Sequence, residues 1–374
     1  MIQREIQSVI EQKLFRGKAI ILTGPRQVGK TTLLKKIVEK VDLPALMLNC
    51  DEPEVRALLS DTNIQKLQSI VGNHKLVMID EAQRIKNIGL TLKLIVDNWS
   101  EIQLLVTGSS SLDLANEINE PLTGRKFEYN MYPFSAKELA SASNMLKEQQ
   151  ALEKRLIYGS YPDVINFRGE EKECLLNLTN NYLYKDVLAL SDIRKPSKLE
   201  NLLVALSLQI GCEVSYHELG QTIHSDSETV ERYIDLLEQC FIVFRLNAFS
   251  RNHRNEIKKG KKIFFFDNGI RNAILQNFSP LNLRQDVGAL WENYFMVERL
   301  KANHYRRHFV KSFFWRTFQQ QEIDLIEDAD GILTAFEIKW NKKRQPKLPN
   351  SFAQAYPNHQ FHVVNSENYL EFLI

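Results

Sequence analysis

The feature that most constrains this chain is the run Gly24-Pro25-Arg26-Gln27-Val28-Gly29-Lys30-Thr31, set between the apolar segment Ala19 to Thr23 and a stretch of helical periodicity. The G-x-x-x-x-G-K-T spacing lets successive backbone N–H groups curl around a phosphate chain, while the helix that follows aims its N-terminus at the same charge. Gly24 and Gly29 permit the curl. Lys30 is placed to reach the β- and γ-phosphates, and the Thr31 hydroxyl to ligate magnesium. The expected nucleotide contacts are Gly24, Pro25, Arg26, Gln27, Val28, Gly29, Lys30, Thr31 and Thr32, with ATP and Mg2+ as the cofactors. A loop of this kind requires strand, loop and helix in that order, and therefore a parallel sheet around it.

A second apolar run, Leu76 to Ile79, ends in Asp80-Glu81. Asp80, at the end of a buried strand, is expected to hold magnesium, and Glu81 beside it to orient and deprotonate an attacking water. Further strand-like runs, Ala45 to Asn49 and Ile102 to Val106, are separated by stretches long enough for crossover helices, so helices are expected on both faces of the sheet. The last of these runs leads into Thr107-Gly108-Ser109-Ser110. Its hydroxyls emerge near the γ-phosphate if that strand lies beside the other two; otherwise the segment is a plain polar loop. Arg125 is a candidate cation for the phosphates of its own or a neighbouring subunit, with Arg84 and Arg155 competing for the role and surface arginine as the alternative.

Composition excludes little beyond extremes. With 48 basic and 46 acidic residues among 374, the formal charge of +2 creates no global field that marks a nucleic-acid or membrane-surface binder. Any such role rests on local patches. Cys50, Cys174, Cys212 and Cys240 lie far apart, without the close pairs of a zinc site, and read as reduced core thiols of a cytoplasmic protein. No run approaches the ~20 apolar residues that span a bilayer, so no membrane partner is expected.

The pattern divides the chain into a P-loop core over 1–136, a helical lid over 137–208 broken at Gly159-Ser160-Tyr161-Pro162 and at Lys195-Pro196, a helix-turn-helix with a wing over 209–275, and an α/β unit over 285–374. In the third segment, helices Tyr216 to Ile223 and Ser227 to Cys240 flank His224-Ser225-Asp226, with serine available as N-cap. Arg251, Arg254, Lys258, Lys259, Lys261 and Lys262 crowd the wing beside His253 and the single acid Glu256, so it either contacts nucleic-acid phosphates or is simply solvated. Glu228, Glu231, Asp235 and Glu238 on the second helix argue against sequence-specific reading of DNA, since a major-groove reader calls for Arg, Asn or Gln.

In the last segment Glu322 to Ile326 and Thr334 to Trp340 alternate apolar and polar, as strands with one buried face do, and Asp330-Gly331 is a two-residue hairpin signal. A turn on those two residues sets Asp324 across from Glu337 and Glu322 across from Lys339, all four on one face. Opposed side chains lie roughly 5 Å apart at Cβ, close enough for two carboxylates to share a divalent metal, a second Mg2+ or Mn2+. Lys339 is then placed to orient a water or stabilise a pentacoordinate phosphate, the D…E-x-K arrangement of restriction-type nucleases. The alternative is a surface hairpin with ordinary cross-strand ion pairs. His304 and His308 have helical metal-ligand spacing but flank Tyr305-Arg306-Arg307, which favours a basic surface patch.

The segments GPRQVGKTTL, LNCDEP, VMIDEAQ, TGSSS, LTGR, YPFSAKEL and GSYPDVI together resemble the AAA-type ATPase family that carries a nuclease-like C-terminal domain, and the similarity covers essentially the whole chain. The resemblance implies an AAA-type core, a winged-helix middle and a restriction-endonuclease-like (PD-(D/E)xK) terminal domain. It further implies that Glu292, in the helix Gly288 to Asn293, joins Asp324 and Glu337 as metal ligands, with Lys339 the catalytic lysine. Two functions fit these readings. One is an ATPase, which the family suggests as a homo-oligomer, whose nucleotide state controls a C-terminal nuclease-like domain acting on DNA. The other is a nucleotide-dependent switch whose C-terminal domain binds a partner without cutting it.

Overall fold

Near-continuous apolar runs belong to parallel strands covered on both faces, and the amino-terminal sequence supplies them in β1 (Ala19–Thr23), β3 (Leu76–Asp80) and β4 (Gln103–Gly108). With β2 (Ala45–Asn49) and β5 (Lys126–Asn130) they form a five-stranded sheet in the order β2-β3-β4-β1-β5, every neighbouring pair parallel. The computed structural model describes residues 2–108, 118, 121–180, 196–250 and 260–374. These divide into two compact units, the first built mainly from Met1–Phe134 with Gln239–Phe241, the second from most of the remainder.

In the first unit all strands run the same way, so their carboxyl ends share one edge, where ligands of open α/β sheets bind. Because β4 lies between β1 and β3, the loop after β1, Asp80 and Thr107 emerge there together. The helices Lys30–Val41 and Ile88–Asn98 bury Leu33, Leu34 and Ile37 and Ile88, Leu92 and Ile95 respectively. A core of Ile21, Val77, Ile79, Leu104 and Val106 fills in beneath Ile88, Leu92 and Ile95.

The second unit begins with the helix Ala136–Ala142, whose start is a full capping box: the Ser135 hydroxyl accepts from Glu138 N–H and the Glu138 carboxylate from Ser135 N–H. The expected break at Gly159 is real and has a specific cause. Gly159 has φ +70°, and a Cβ there would lie 1.9 Å from Oδ1 of Asp267, whose other oxygen accepts from Ser160 N–H at 2.8 Å. Helices Tyr216–Thr222 and Ser227–Gln239 follow as expected, but the N-cap is Asp226, which accepts from Thr229 N–H at 2.7 Å and from the Thr229 hydroxyl at 3.1 Å, rather than Ser225. A carboxylate, stronger than a hydroxyl as an acceptor at a helix N-terminus, takes the position.

Strands β6 (Glu213–Val214), β7 (Val243–Ala248) and β8 (Lys261–Phe265) pair antiparallel and continue into β9 (Lys311–Arg316), β10 (Glu322–Ala329), β11 (Ile332–Ile338) and β12 (His359–Val364). The link is a short parallel contact of β7 with β9, which makes one seven-stranded sheet, β12-β11-β10-β9-β7-β8-β6. The β10–β11 register is the expected one, Leu325 opposite Phe336 and Ala329 opposite Ile332, around a turn in which Asp330 and Gly331 have φ of 52° and 86°. Two positive φ values are what a type I′ turn requires.

The expectation of one buried face is corrected. Ile323, Asp324, Leu325, Ile326 and Glu327 are all buried. Leu325 and Phe336 pack with Leu290, Phe295 and Leu373, while Ile326 and Ala335 pack with Phe352, so helices cover both faces of the hairpin and its charged residues are paired internally. Glu327, for example, takes a two-pronged bond from Arg299 at 2.9 and 2.7 Å and another from Asn303 at 2.6 Å. Ser109 and Ser110, and Arg251, His253, Arg254, Glu256, Lys258 and Lys259 of the wing, lie outside the described residues. Of the four cysteines expected in the core, Cys50 and Cys240 are buried, whereas Cys174 is half-buried and Cys212 exposed. No described helix is long and apolar enough to cross a membrane.

Candidate functional site: a phosphate loop and an acid–lysine cluster

The loop after β1 adopts the backbone its spacing calls for. Gly24, Gln27 and Gly29 have φ of 149°, 61° and 93°, and Gly29 leads directly into the helix that starts at Lys30. Gly24 is sterically obligatory, since a Cβ there would lie 2.1 Å from the Met131 carbonyl oxygen. The Lys30 ammonium folds back across the loop and donates to the carbonyls of Gly24 at 2.7 Å and Pro25 at 2.8 Å. A lysine holding the mouth of its own loop is placed to exchange those carbonyls for phosphate oxygens.

Asp80 is the centre of the site. Its carboxylate accepts from the Thr31 hydroxyl at 2.9 and 3.0 Å and from the Thr107 hydroxyl. Thr107 in turn accepts from Glu81 N–H at 3.1 Å. The next residue, Glu81, sits in the left-handed region at φ 55°, a conformation that side chains rarely adopt and that functional sites often retain. Its carboxylate accepts from Gln83 Nε2 at 2.5 Å. Thus Thr31, Asp80, Glu81 and Thr107, from three elements, form one hydrogen-bonded group beside the loop. An oxygen-rich group of one carboxylate and a helix-terminal hydroxyl fits Mg2+, which binds through one or two carboxylates and the phosphates it accompanies. When bound, the ion supplies charge neutralisation to the β- and γ-phosphates.

Each of the competing arginines is committed to an acid of its own unit. Arg125 precedes β5, its carbonyl accepts from Ala19 N–H at 2.9 Å at the amino end of β1, and its guanidinium meets Asp97 at 2.5 Å. It therefore stands at the sheet edge opposite the loop. Arg84 lies 3.3 Å from Asp51, and Arg155, in the second unit, is paired with Glu148 at 2.8 and 2.9 Å. Sequence reading missed Arg4, which is buried and donates to the carbonyls of Val28 and Tyr132 from beneath the loop. Arg4 stands just before the helix Glu5–Glu11 in extended backbone, and nothing in the local sequence distinguishes an inward arginine there from a solvated one.

In the second unit the structure brings together Asp324, Glu337 and Lys339, as the hairpin register requires. The Lys339 ammonium lies 2.8 Å from Asp324 and 2.7 Å from Glu337, and Asp324 also accepts from Ile338 N–H at 2.7 Å. Glu292 belongs to the same group through Lys262, whose ammonium is 3.3 Å from Glu292 and 2.5 Å from Glu322. Glu322 therefore meets Lys262 and, at 3.8 Å, Arg316 rather than the expected Lys339, because Lys339 turns toward Asp324 and Glu337.

Burial pushes the Glu292 and Glu337 carboxyls well above the usual range, and the Asp324 charge adds to both shifts; the lysines oppose them. For Lys262 and Lys339 burial favours the neutral form, but the adjoining carboxylates more than offset it and both are raised. As placed, these residues do not fit a divalent metal: ammonium groups stand between the carboxylates, and among the described residues no group of three or more His, Cys, Asp or Glu is arranged to hold one.

Three of the four acids on the second helix of the helix-turn-helix segment, Glu231, Asp235 and Glu238, are paired within the protein. Arg245 of β7 pairs with Asp235 at 2.6 Å and with Glu238 at 2.7 Å, and Lys261 of β8 with Glu231 at 3.0 Å. Asp235 and Glu231 nonetheless keep 43% and 46% of their side chains exposed and Glu228 is exposed, so the pairing reduces the negative face of this helix without removing it.

A family model described as "AAA domain" matches residues 16–140. Two models described as domains of unknown function match residues 149–281 and 287–372. The chain is 26% identical over 358 residues to an uncharacterized protein of Mycobacterium tuberculosis, covering 94% of this chain and 77% of that one. It is 25% identical to an uncharacterized protein of Methanocaldococcus jannaschii, covering 90% and 79%. A solved structure, the Thermotoga maritima RuvB Holliday junction branch migration motor, is 14% identical with a TM-score of 0.34 over 75% of this chain and 96% of that chain, a likeness too distant to carry an argument. The amino-terminal segment is thus of the AAA-type P-loop ATPase class, with the nucleotide-binding loop of that class in place.

Proposed function

We propose that the chain hydrolyses ATP with magnesium and that its nucleotide state governs the C-terminal acid–lysine cluster, which acts on DNA. The observation that supports hydrolysis is the group Thr31, Asp80, Thr107 and Glu81: a hydroxyl and carboxylate for the ion, and a second carboxylate held by its own backbone bond to Thr107. Glu81 is the base in this reading, and water is its substrate partner. The phosphates are held by the loop amides from Gly24 to Thr32, with Lys30 as the mobile cation. In this reading an arginine from a neighbouring copy of the chain completes the site, since Arg125 stands at the opposite edge of its own sheet and Arg84 and Arg155 are paired with Asp51 and Glu148. The DNA reading rests on the hairpin register that joins Asp324, Glu337 and Lys339.

The test is cleavage of plasmid, linear and single-stranded DNA with magnesium or manganese, with and without ATP, by the wild type and by Lys30→Ala and Asp324→Ala. The reading expects cleavage that Asp324→Ala abolishes and Lys30→Ala uncouples from ATP. Cleavage that survives Asp324→Ala would sink the nuclease assignment. One observation favours the second reading, a nucleotide-dependent binding module without cleavage: the two ammonium groups already neutralise the carboxylates that a metal would need. Partner capture that survives Asp324→Ala but is lost in Lys30→Ala would support that reading over the first.

A further inference from the structure

Lys262 is an unusual member of the C-terminal cluster. It comes from β8, which flanks the helix-turn-helix segment, while the other members come from β10, β11 and the helix Val287–Tyr305. Only 4% of its side chain is exposed, and lysine is almost never buried so deeply unless it is paired. Its aliphatic stem and ammonium pass over the Phe314 ring, 5.4 Å from the centroid, and the ammonium ends between Glu292 and Glu322. The charged groups around it are Glu292 on the helix, Glu322 and Asp324 on β10, Glu337 on β11 with Lys339 just past its end, Arg316 on β9 and Glu213 on β6. Of these, Lys339 is committed to Asp324 and Glu337, and Arg316 reaches Glu213 at 3.1 Å as well as Glu322. Lys262 is thus the cation that holds Glu292 to Glu322.

We propose that Lys262 is a tethered counter-cation that takes the place of a divalent metal among Glu292, Glu322 and Asp324 and, in the free protein, keeps such a metal out. The inference rests on reading this cluster as a D…E-x-K site, but it concerns occupancy rather than cleavage. An ammonium and a hard divalent ion compete for the same carboxylate oxygens: Mg2+ demands oxygens at about 2.0–2.1 Å in octahedral array. An ammonium hydrogen-bonded to two of those carboxylates leaves no such array. Without it, the closely set carboxylates of Glu292, Glu322 and Asp324 repel one another until a proton or another cation relieves them. Because Lys262 is carried by β8, the occupancy of the acidic site is tied to the strand that leads out of the basic wing.

Calorimetric titration of the nucleotide-free, full-length protein with Mn2+ tests this. Lys262→Met, which keeps the length of the side chain and removes the charge, is expected to bind one more ion than the wild type, at least tenfold more tightly than any wild-type binding. Lys262→Arg is expected to behave as the wild type, and Lys262→Met with Asp324→Ala to lose the added ion. Equal Mn2+ binding by Lys262→Met and the wild type would overturn the proposal, as would an added ion that persists without Asp324. Should Lys262→Met fail to fold, the wild type compared with Asp324→Ala decides. Mn2+ binding that Asp324→Ala removes contradicts an occupied site, and wild-type Mn2+ binding unchanged in Asp324→Ala supports it. Lys262→Met that binds the ion without cutting DNA leaves this inference standing and removes the nuclease reading.

Discussion

Replacing Thr107 by valine removes one hydroxyl from a residue with no exposed surface and breaks two links at once. The Asp80 carboxylate loses a donor, and Glu81 N–H loses its acceptor at 3.1 Å. A hydrogen bond to a charged group is worth about 1.5–3 kcal/mol and an orphaned buried donor costs about 1–3 kcal/mol. The two losses share one hydroxyl, so the first unit should lose roughly 3 kcal/mol of stability. The larger effect is kinetic. Glu81 keeps its left-handed backbone through that bond, and a displaced base forfeits the ~10²–10⁴-fold that general base catalysis contributes. Phosphate release should therefore fall roughly 100-fold, while ATP affinity, set by the loop and Lys30, changes less than about threefold. Thr107→Ser keeps the hydroxyl and should stay within about fivefold of wild type. The assays are steady-state phosphate release and equilibrium binding of a fluorescent ATP analogue. A folded Thr107→Val protein that hydrolyses ATP at the wild-type rate would show that Thr107 does not position Glu81.

Two further outcomes follow from the packing. Gly24→Ala would drive a methyl group to within 2.1 Å of the Met131 carbonyl, whose own N–H donates to Thr23 at 2.8 Å, so neither backbone can yield cheaply; a loss of about 3 kcal/mol and of measurable nucleotide binding is expected, and thermal melting with ATP titration checks both. Asp267 is buried, and burial raises its carboxyl from 3.8 to about 6 against the bonds from Ser160 and Ile270 N–H. A raised carboxyl means that the folded state binds more protons than the unfolded chain between about pH 4 and 6, so its contribution to stability is greatest below pH 4 and is lost as pH rises through about 6. Across that window the stability of wild type relative to Asp267→Asn should decline by up to about 3 kcal/mol, measured by urea unfolding at pH 4, 5, 6 and 7; a constant difference would contradict the assignment.

The phosphate loop was legible because its chemistry is local: glycines at two positions, a lysine and a threonine suffice to fix backbone, helix start and charge. The hairpin register was legible for a similar reason, since Asp330-Gly331 admits one tight turn and the pairing follows from it. What escaped the sequence depends on tertiary packing. Lys262 stands in a basic stretch that reads as solvated wing, and only the continuous sheet carries it to Glu292 and Glu322. The acids Glu231, Asp235 and Glu238 read as uncompensated charge until β7 and β8 supply Arg245 and Lys261. Arg125 follows a glycine in a loop, and nothing local shows that the loop enters β5 at the far edge from Lys30. Alternation along β10 likewise suggested one solvated face, because helices arriving from elsewhere in the chain leave no trace in a seven-residue window.

The most direct test of the central claim is phosphate release from ATP and magnesium by the wild type beside Glu81→Gln, with ATP binding measured in both. The wild type should hydrolyse ATP, and Glu81→Gln should bind it with similar affinity while releasing phosphate roughly 100-fold more slowly or less. Equal rates in the two proteins, or a wild type that does not bind ATP, would contradict the account.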